Sequence, residues 1–508
     1  MFRWKRLTAV AAVVALGLTG CSAAGGDSSS DTASQTLNLG VIVPATTFSA
    51  ADANWANESP YMQAVYDTVL KADPDGTVEP NLATKWSYNS DKTELTLTLR
   101  TDVKFTDGTK LDADAVAQNL LRFRDGVSPN KSLLASLKDA TAVDDKTVKL
   151  TLTDSDPALL TSLTQNAGLI ESPKAFSNKD LKTNPVGSGP YTLDTKKTVV
   201  GTSYVFEKNT KYWNPSAVHY GTIVMKVYQD PTAMLNAIKG GQVNAANTPN
   251  NNSIDEIKAS GFTIVNGELN WEGLLLFDRG GTMNPALGNV KVRQAINYAF
   301  DRPALLKTIG QGYGTVTEQI FPPSSVGFDK SLDTHYTYDV KKAKELMAEA
   351  GYADGFTLNM PSSAFFGTAP FSLLQQQLKE IGITVKYTDP GNNFIPDVLA
   401  PKYPAILMVL QQDPTDWQLI NFQIAPKASW NPFHYEDPKV NEFIDTIHHG
   451  SKADSDAAVK DLNAYLVDQA WFAPWFRPAS NFTVDGNTAA VFQTGNAVPY
   501  LWNIKPKS

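Results

Sequence analysis

The chain contains a single cysteine, Cys21, and its position constrains how the rest of the chain can fold. Basic residues at the N-terminus precede an apolar run from Leu7 to Leu18, and small residues separate that run from the thiol. A basic N-terminus, a short apolar run and small residues before a cleavage site are typical of a secretory signal peptide. The run is also shorter than the ~20 apolar residues of a membrane span. We therefore expect an exported chain that has no internal disulfide and depends on buried apolar surface for its stability.

The residues before the thiol carry a more specific signal. Leu18-Thr19-Gly20-Cys21 resembles the lipoprotein box of exported bacterial proteins, which implies cleavage before Cys21 and a lipid on its sulfur. Residues 1–20 would then be a lipoprotein signal peptide, and residues 21–35, rich in Ser, Ala, Gly and Asp, a flexible tether. The predicted location is extracytoplasmic, at the cell membrane. The alternative is an ordinary signal peptide with a chance cysteine.

Length and charge limit the architecture and the partners. The remaining residues exceed the ~250–300 at which single cores stop growing, which predicts two or three domains. The 44 basic and 52 acidic side chains give the full chain a net charge of −8 at pH 7. This acidic balance argues against nucleic acid or anionic lipid as the main partner.

Strands that alternate with helices predict an α/β fold. A strand over Thr222–Tyr228 precedes a helix that begins at Asp230 and ends at Gly240, and strands over Phe356–Met360 and Ile383–Tyr387 flank another helix. A further helix, from Asp339 to Gly351, precedes that second unit.

Two kinds of strand pattern divide the chain further. Ala405–Leu410 and Leu274–Phe277 are continuously apolar, which predicts strands buried on both faces of a parallel sheet. In Glu94–Leu99 and Thr147–Leu152, apolar and polar residues alternate instead, which predicts antiparallel strands with one solvent-exposed face. The prediction is α/β lobes plus a more β-rich insertion over 82–184.

In open α/β sheets, ligands bind beyond the carboxyl ends of the strands, which selects the loops after Leu37–Val43 and after Ala405–Leu410. Their aromatic, amide and carboxylate groups suit a ligand with apolar and hydrogen-bonding parts. The alternative is that each tryptophan fills a lobe and each aspartate caps a helix. The candidate ligand-binding residues in and beside such loops are Thr47, Phe48, Trp271, Asp413, Asp416, Trp417, Trp430 and Asn431.

Motifs of catalytic and cofactor sites are absent from the sequence. Val186–Pro190 lacks the outer glycines of a nucleophile elbow. Gly310–Gly314 follows a helix rather than a strand, unlike a dinucleotide fingerprint. The adjacent His448 and His449 are expected to face apart on a helix, and no zinc spacing is present. We therefore predict no enzyme, no cofactor and no metal site.

Several motifs, in order along the chain, resemble one family. They are Asn81–Trp86, Asp91–Leu95, Val103–Thr109, Pro185–Tyr191, Tyr212-Trp213, Val292–Ala295 and Ala299–Arg302. The series resembles the solute-binding protein family 5 of ATP-binding-cassette importers, the peptide- and nickel-binding group. The likeness covers essentially the whole chain after Cys21.

The resemblance implies a bilobal fold of the periplasmic binding protein type, with three regions. These are lobe I (36–81, 185–280 and 478–508), an inserted β-rich domain (82–184) and lobe II (281–477), with hinge segments near Phe277-Asp278 and Pro474–Asn481. Such a monomer closes around its ligand by hinge bending. The implied partners are a solute and a membrane permease with cytoplasmic ATPase subunits.

The resemblance also suggests the cargo. Peptide binders of this family commonly hold the amino group with an aspartate after the strand that matches Ala405–Leu410, which makes Asp413 the first candidate and Asp416 the second. The loop Pro361–Gly367 has no cation where short-peptide binders tend to place an arginine. Because a buried carboxylate without a partner is costly, a longer peptide gripped through its backbone, or a neutral or cationic solute, fits better. Phe365 would supply apolar or cation–π contacts.

Other functions stay open at this point. Within the same class, the solute is a nickel chelate, an opine or an oligosaccharide, taken up or sensed. In a different class, the chain is a secreted hydrolase in which Asp413 and Asp416 form a carboxylate pair.

The lipoprotein box gives the first testable prediction. Cys21→Ser removes the sulfur that would carry the lipid, so we expect the protein to move from the membrane fraction to the periplasm or the medium. Fractionation followed by immunoblotting measures this, and an unchanged membrane fraction would contradict the predicted lipidation.

Overall fold

A computed structural model describes residues 35–507, so Cys21 and the predicted signal and tether up to residue 34 lie outside the described residues. The strands of this part are β1 (Thr36–Val41), β2 (Leu70–Ala72), β3 (Val78–Pro80), β4 (Ala83–Tyr88), β5 (Glu94–Leu99), β6 (Leu137–Asp144), β7 (Thr147–Leu152), β8 (Tyr191–Leu193), β9 (Ser203–Lys208), β10 (Thr222–Val227), β11 (Ala245–Asn247), β12 (Thr263–Glu268), β13 (Asn270–Leu276), β14 (Gly314–Val316), β15 (Phe356–Pro361), β16 (Ile383–Thr388), β17 (Ala405–Gln411), β18 (Phe472–Val484), β19 (Thr488–Ala490) and β20 (Ile504–Pro506).

The α-helices of the same part are α1 (Ser59–Val65), α2 (Ala113–Asp125), α3 (Leu159–Ser162), α4 (Pro231–Lys239), α5 (Ile254–Ala259), α6 (Val290–Tyr298), α7 (Arg302–Thr308), α8 (Val340–Glu349), α9 (Ala369–Glu380), α10 (Phe394–Val398), α11 (Asp416–Leu419), α12 (Pro438–His449) and α13 (Lys452–Asp468). Over residues 35–507, none of them combines the length and apolar character needed to cross a bilayer.

The largest sheet has ten strands, in the order β17-β13-β18-β11-β1-β10-β9-β8, with β12 and β14 also paired to β18. The strand β18 belongs to both halves of this sheet. Its residues Phe472–Pro478 pair with β13 and β14, whereas Ala479–Val484 pair with β11 and β12. One continuous strand therefore connects the two α/β lobes.

The chain crosses between the lobes a second time in the segment that joins β12 to β13. Glu268 pairs with Ala479 in one half of the sheet, and Glu272 pairs with Phe476 in the other, so the chain crosses at Leu269. This position lies upstream of the predicted Phe277-Asp278. The predicted segment is anchored within a lobe instead, because the Asp278 carboxylate accepts hydrogen bonds from the backbone of the loop that follows it.

Separate hydrophobic cores support the lobes and the insertion. One core packs around β1, β9 and β10. A second fills the four-stranded sheet β4-β5-β7-β6 and the helix α2, within the predicted insertion. Two more lie on opposite faces of β13 and β17. This arrangement is the predicted α/β fold with several lobes; the numerical domain boundaries stay a prediction.

The predicted strand–helix units are confirmed. Asp230 and Asp339 cap α4 and α8 by accepting backbone N–H bonds from Ala233 and Lys342 at 2.8 and 2.9 Å. The alternating strands β5 and β7 also pair antiparallel, with every second residue buried.

The prediction that β17 and β13 lie in a parallel sheet is wrong. They pair antiparallel with each other, and β17 lies at the end of the sheet order. Both are covered on their two faces, since Leu274 and Leu407 belong to one core and Leu275 and Ile406 to the other. A continuously apolar pattern indicates that both faces of a strand are buried, and it carries no information about strand direction.

An ion pair joins the two crossing segments. The guanidinium of Arg477 on β18 donates from Nε to Glu268 Oε2 on β12 at 2.7 Å, and the Arg477 side chain is only 3% exposed. Asp333 lies farther from this guanidinium, at 3.9 Å. Glu268 is therefore the main counter-charge of a cation buried at the hinge.

We expect Glu268→Ala to lower the free energy of unfolding by about 1–3 kcal/mol, because it leaves a buried cation without its closest partner. Urea denaturation measures the change. Glu256→Ala is the matched control, since Glu256 pairs with Lys239 at 2.7 Å on the exposed surface, where such a pair contributes about 0–1 kcal/mol. Equal effects of the two substitutions would contradict the role of the hinge ion pair.

Candidate functional site

A cavity of about 690 Å³ lies between the lobes and the insertion. Its wall combines the loop after β17 and the start of α11, a part of the insertion, and segments near Trp55 and Asn496. The residues on which the following argument depends are Trp55, Asp156, Asp413, Trp417, His448 and Asn496. A solute held here would contact all three regions, which is the condition for coupling binding to closure.

Asp413 is placed in this wall because it follows the last residues of β17. The residue as a whole is half-buried, but its Oδ2 atom is shielded from solvent and has no hydrogen-bond partner. Burial raises the pKa of the Asp413 carboxyl to about 7. An unpaired carboxylate in such surroundings is stabilised by a cation or an N–H donor.

Asn496 contributes a second acceptor without a donor. Its amide nitrogen donates to Ser59 Oγ at 3.0 Å and to the Val498 carbonyl at 2.8 Å, which fixes the orientation of the amide. Its Oδ1 is buried and unpartnered. Two acceptors in the wall therefore lack donors, and a ligand that carries N–H groups would satisfy them.

The charges around the cavity have one sign. Asp156 supplies a second carboxylate, oriented by the Ser136 hydroxyl at 2.7 Å and the Ala158 N–H at 3.0 Å. Among the described residues that line the cavity, none is lysine or arginine. This wall is thus complementary to a cationic group and offers no ion-pair partner to an anion.

Trp417 and Asp416 lie close in sequence but differ in their surroundings. Trp417 lines the same cavity as Asp413, and its ring stacks on His448 with centroids 4.4 Å apart. Asp416 accepts a hydrogen bond from the Ser325 hydroxyl and lines a neighbouring cavity of about 790 Å³. Asp413 and Asp416 therefore line two neighbouring cavities, which share Asp156, Pro414, Trp417 and His448.

The structure places two predicted site residues, Thr47 and Phe48, at buried positions away from the cavity wall. Phe48 is 2% exposed and packs edge-on against Tyr61, with ring centroids 6.4 Å apart. The Thr47 hydroxyl accepts the Ser49 N–H at 3.0 Å and is also buried. Neither residue lines the cavity, because the loop after β1 turns into the core of its own lobe.

Trp271, Trp430 and Asn431 are likewise buried and do not line the cavity. Trp271 is fully buried and donates from Nε1 to Gln423 at 3.0 Å. Trp430 packs in the same core, and Asn431 accepts from the buried Arg279 at 3.1 Å. These contacts lie inside one lobe, so the positions agree with the alternative in which tryptophans fill the core.

The remaining candidate, Phe365, has a side chain outside the described part of the structure. The sequence patterns did not select Asp156 or Asn496, and Trp55 lies at the end of the loop after Leu37–Val43 that they did select. No local pattern identifies Asp156 and Asn496 as a pair, because they are brought together from the insertion and the C-terminal segment by the tertiary fold.

The lobes touch at the edge of this cavity. Pro414, after β17, packs against Gly495 in the C-terminal segment, and a Cβ built on Gly495 would lie 2.5 Å from Pro414 Cβ. On another side, the Ser155 hydroxyl of the insertion donates to the His448 carbonyl at 3.4 Å. The structure therefore shows a cleft whose walls meet around the cavity.

Comparisons with known proteins agree with this architecture. Residues 77–428 match the model of the bacterial extracellular solute-binding proteins, family 5 Middle. The glutathione-binding protein GsiB of Shigella flexneri serotype 5b (strain 8401) is 31% identical over 357 residues, covering 68% of this chain and 67% of GsiB. GsiB of Escherichia coli (strain K12) is 31% identical over 356 residues, with the same shares.

Solved structures share the fold. HbpA2 from Haemophilus parasuis superposes with a TM-score of 0.83 at 22% identity, covering 93% of this chain and 100% of HbpA2. The periplasmic binding protein DppA from Helicobacter pylori, in complex with the peptide STSA, gives a TM-score of 0.74 at 20% identity and covers 94% and 98% of the two chains.

The contact of Gly495 with Pro414 predicts that closure tolerates no side chain there. In Gly495→Ala the added methyl group would displace Pro414, at a cost of about 1–3 kcal/mol to the closed form. We therefore expect at least roughly fivefold weaker binding of the solutes that the wild-type protein binds, measured by isothermal titration calorimetry.

Gly241→Ala is the control for backbone strain. Gly241 has φ +64°, close to the +69° of Gly495, but no atom lies within 4 Å of a Cβ built there. This variant should lose stability to a similar degree and keep its affinity. Equal affinities of the two variants would contradict the closure contact.

Proposed function

Because the chain belongs to the family 5 bacterial extracellular solute-binding proteins, we propose that it captures a peptide between its lobes. It is an extracytoplasmic substrate-binding protein of an ATP-binding-cassette importer, and its family is not one of enzymes. In the proposed cycle the monomer, anchored through a lipid on Cys21, closes around the peptide and delivers it to a membrane permease. The cytoplasmic ATPase subunits of that importer then drive uptake.

The observation that carries the proposal is the shielded, partnerless Oδ2 of Asp413 in the wall of the cavity. A peptide α-ammonium supplies both the positive charge and the N–H donors that this oxygen lacks. Asn496 Oδ1 would accept a second N–H from the peptide backbone. Trp55 and Trp417 offer aromatic faces to the side chains or to the cation.

The cavity also suggests which end of the peptide it grips. With no lysine or arginine among its described lining residues, it offers no ion pair to a C-terminal carboxylate. A peptide long enough to place that carboxylate in solvent avoids the cost of burying it unpaired. By the same argument a small anionic peptide such as glutathione, which the GsiB relatives are named for, should bind poorly here.

A thermal-shift screen tests this function with peptides of two to eight residues, glutathione, nickel chelates, opines and oligosaccharides. A ligand at a hundredfold its Kd adds about 2.7 kcal/mol of stability, which a melting curve resolves. We expect shifts with free peptides, none after N-acetylation, and unchanged shifts after C-terminal amidation. Shifts confined to a non-peptide class, or insensitive to acetylation, would contradict the proposal.

The pKa of Asp413 makes binding depend on pH. The ammonium pairs with the ionised carboxylate, so affinity should fall as pH drops through about 7. Between pH 7.5 and 5.5 we expect a roughly twentyfold loss, measured by calorimetry with an unmodified peptide. Above pH 8 the α-amino group of the peptide, with a pKa of about 8, loses its proton and affinity falls again.

Asp413→Asn should bind weakly at every pH and abolish this dependence. Because a raised carboxyl pKa means that the ionised form destabilises the unliganded fold, the variant should be at least as stable as wild type above pH 7. Asp416→Asn is the matched control, since Asp416 lines the other cavity, and it should retain the wild-type pH profile. A profile unchanged by Asp413→Asn would remove Asp413 from the site.

A further inference from the structure

A cluster of potential metal ligands joins the insertion to α12 beside the solute cavity. Asp154, His448 and His449 each present one ligand atom, and these atoms lie within 4.8 Å of one another. The expectation that the two histidines face apart is wrong: their ring centroids are 4.0 Å apart, because both rings approach the Asp154-Ser155 segment of the insertion.

The hydrogen bonds of the two rings determine which nitrogens are free. His448 Nε2 lies 2.6 Å from the Ser155 carbonyl, which can only accept, so this nitrogen carries a proton and donates. His449 Nδ1 likewise donates to the Asp445 carboxylate at 3.1 Å. In the neutral rings, Nδ1 of His448 and Nε2 of His449 therefore carry the lone pairs, and a metal bound through His448 Nε2 instead would replace its contact with the Ser155 carbonyl. Ring N–H groups held by a carbonyl and a carboxylate are the usual outer shell of metal-bound histidines.

The separation of one donor pair, His449 and Asp154, suits a small cation. His449 Nε2 and Asp154 Oδ1 are 3.6 Å apart. Bond lengths of about 2.0–2.2 Å to Zn²⁺ in tetrahedral geometry place neighbouring donors roughly 3.3–3.5 Å apart. A lone pair of a neutral imidazole and a carboxylate at this separation repel each other unless a proton or a metal ion lies between them.

We propose that Asp154, His448 and His449 form a site for a divalent transition-metal ion, and that the bound ion holds the insertion against lobe II. Two nitrogen ligands and one carboxylate fit Zn²⁺ and Ni²⁺ better than Mg²⁺ or Ca²⁺, which prefer oxygen ligands. Water would occupy the fourth coordination position of the ion. Asp154 and His449 line neither described cavity, whereas His448 lines both, so the site adjoins that of the solute.

The site is complete only when the walls of the cleft meet, because Asp154 follows β7 in the insertion and both histidines end α12. A metal that needs both sides binds the closed form preferentially and shifts the equilibrium toward it. Trp417, which lines the solute cavity, stacks on His448 and links the two sites directly.

Calorimetric titration of ZnCl₂ and NiCl₂ into the purified protein, without a histidine tag, tests the site. We expect one ion per chain, and at least tenfold weaker binding in Asp154→Asn and in His449→Gln. Both residues are exposed, so neither substitution should change the melting temperature of the metal-free protein. Glu442→Gln, on the same helix, is the control and should bind as wild type. Absence of binding, or equal binding by all variants, would overturn the site.

Small-angle X-ray scattering with and without Zn²⁺ tests the closure. The wild-type radius of gyration should decrease on adding Zn²⁺, and that of His449→Gln should not. Stoichiometric binding with an unchanged radius would overturn the link to closure. Neither experiment uses a peptide, so their results do not depend on whether the proposed peptide binding is correct.

Discussion

The shared strand β18 is the constraint on which the arrangement of the lobes depends. Its first residues are hydrogen-bonded into one half of the large sheet and its last residues into the other. Each half is held by its own core, so neither can deform without loss of packing. Relative motion is therefore confined to backbone torsions where β18 and the Leu269 region cross, next to the ion pair of Arg477 with Glu268.

Closure and selectivity have a common origin in the unsatisfied acceptors of the cavity. When the walls meet, Asp413 Oδ2 and Asn496 Oδ1 are shielded from water without receiving a donor. The closed form is then unfavourable unless a solute supplies N–H groups, and most favourable when that solute is a cation. The same atoms that are proposed to select the ligand would thus disfavour tight closure of the empty protein.

The sequence is informative where the signal is local. Asp230 and Asp339 identified the starts of two helices, and alternation identified β5 and β7, because capping and a half-buried sheet face need no distant partner. Asp413 was selected because it directly follows a strand, and the structure places it in the wall of the cavity. The direction of β17 was missed since two-sided burial has the same pattern in either direction. Trp271 was misplaced because aromatic residues of cores and of ligand sites are alike in sequence.

A metal at the rim and a solute in the cavity would act on one equilibrium. Both require the closed arrangement, so each must raise the affinity of the other by the same factor. Their contributions to specificity differ, however. The proposed solute would contact Asp413 and Asn496, whereas the metal would contact the outer edge of the cleft, where its ligand His448 stacks on Trp417. The metal would therefore stabilise a closed state already chosen by the cavity, prolonging retention of the solute without altering which solute is retained.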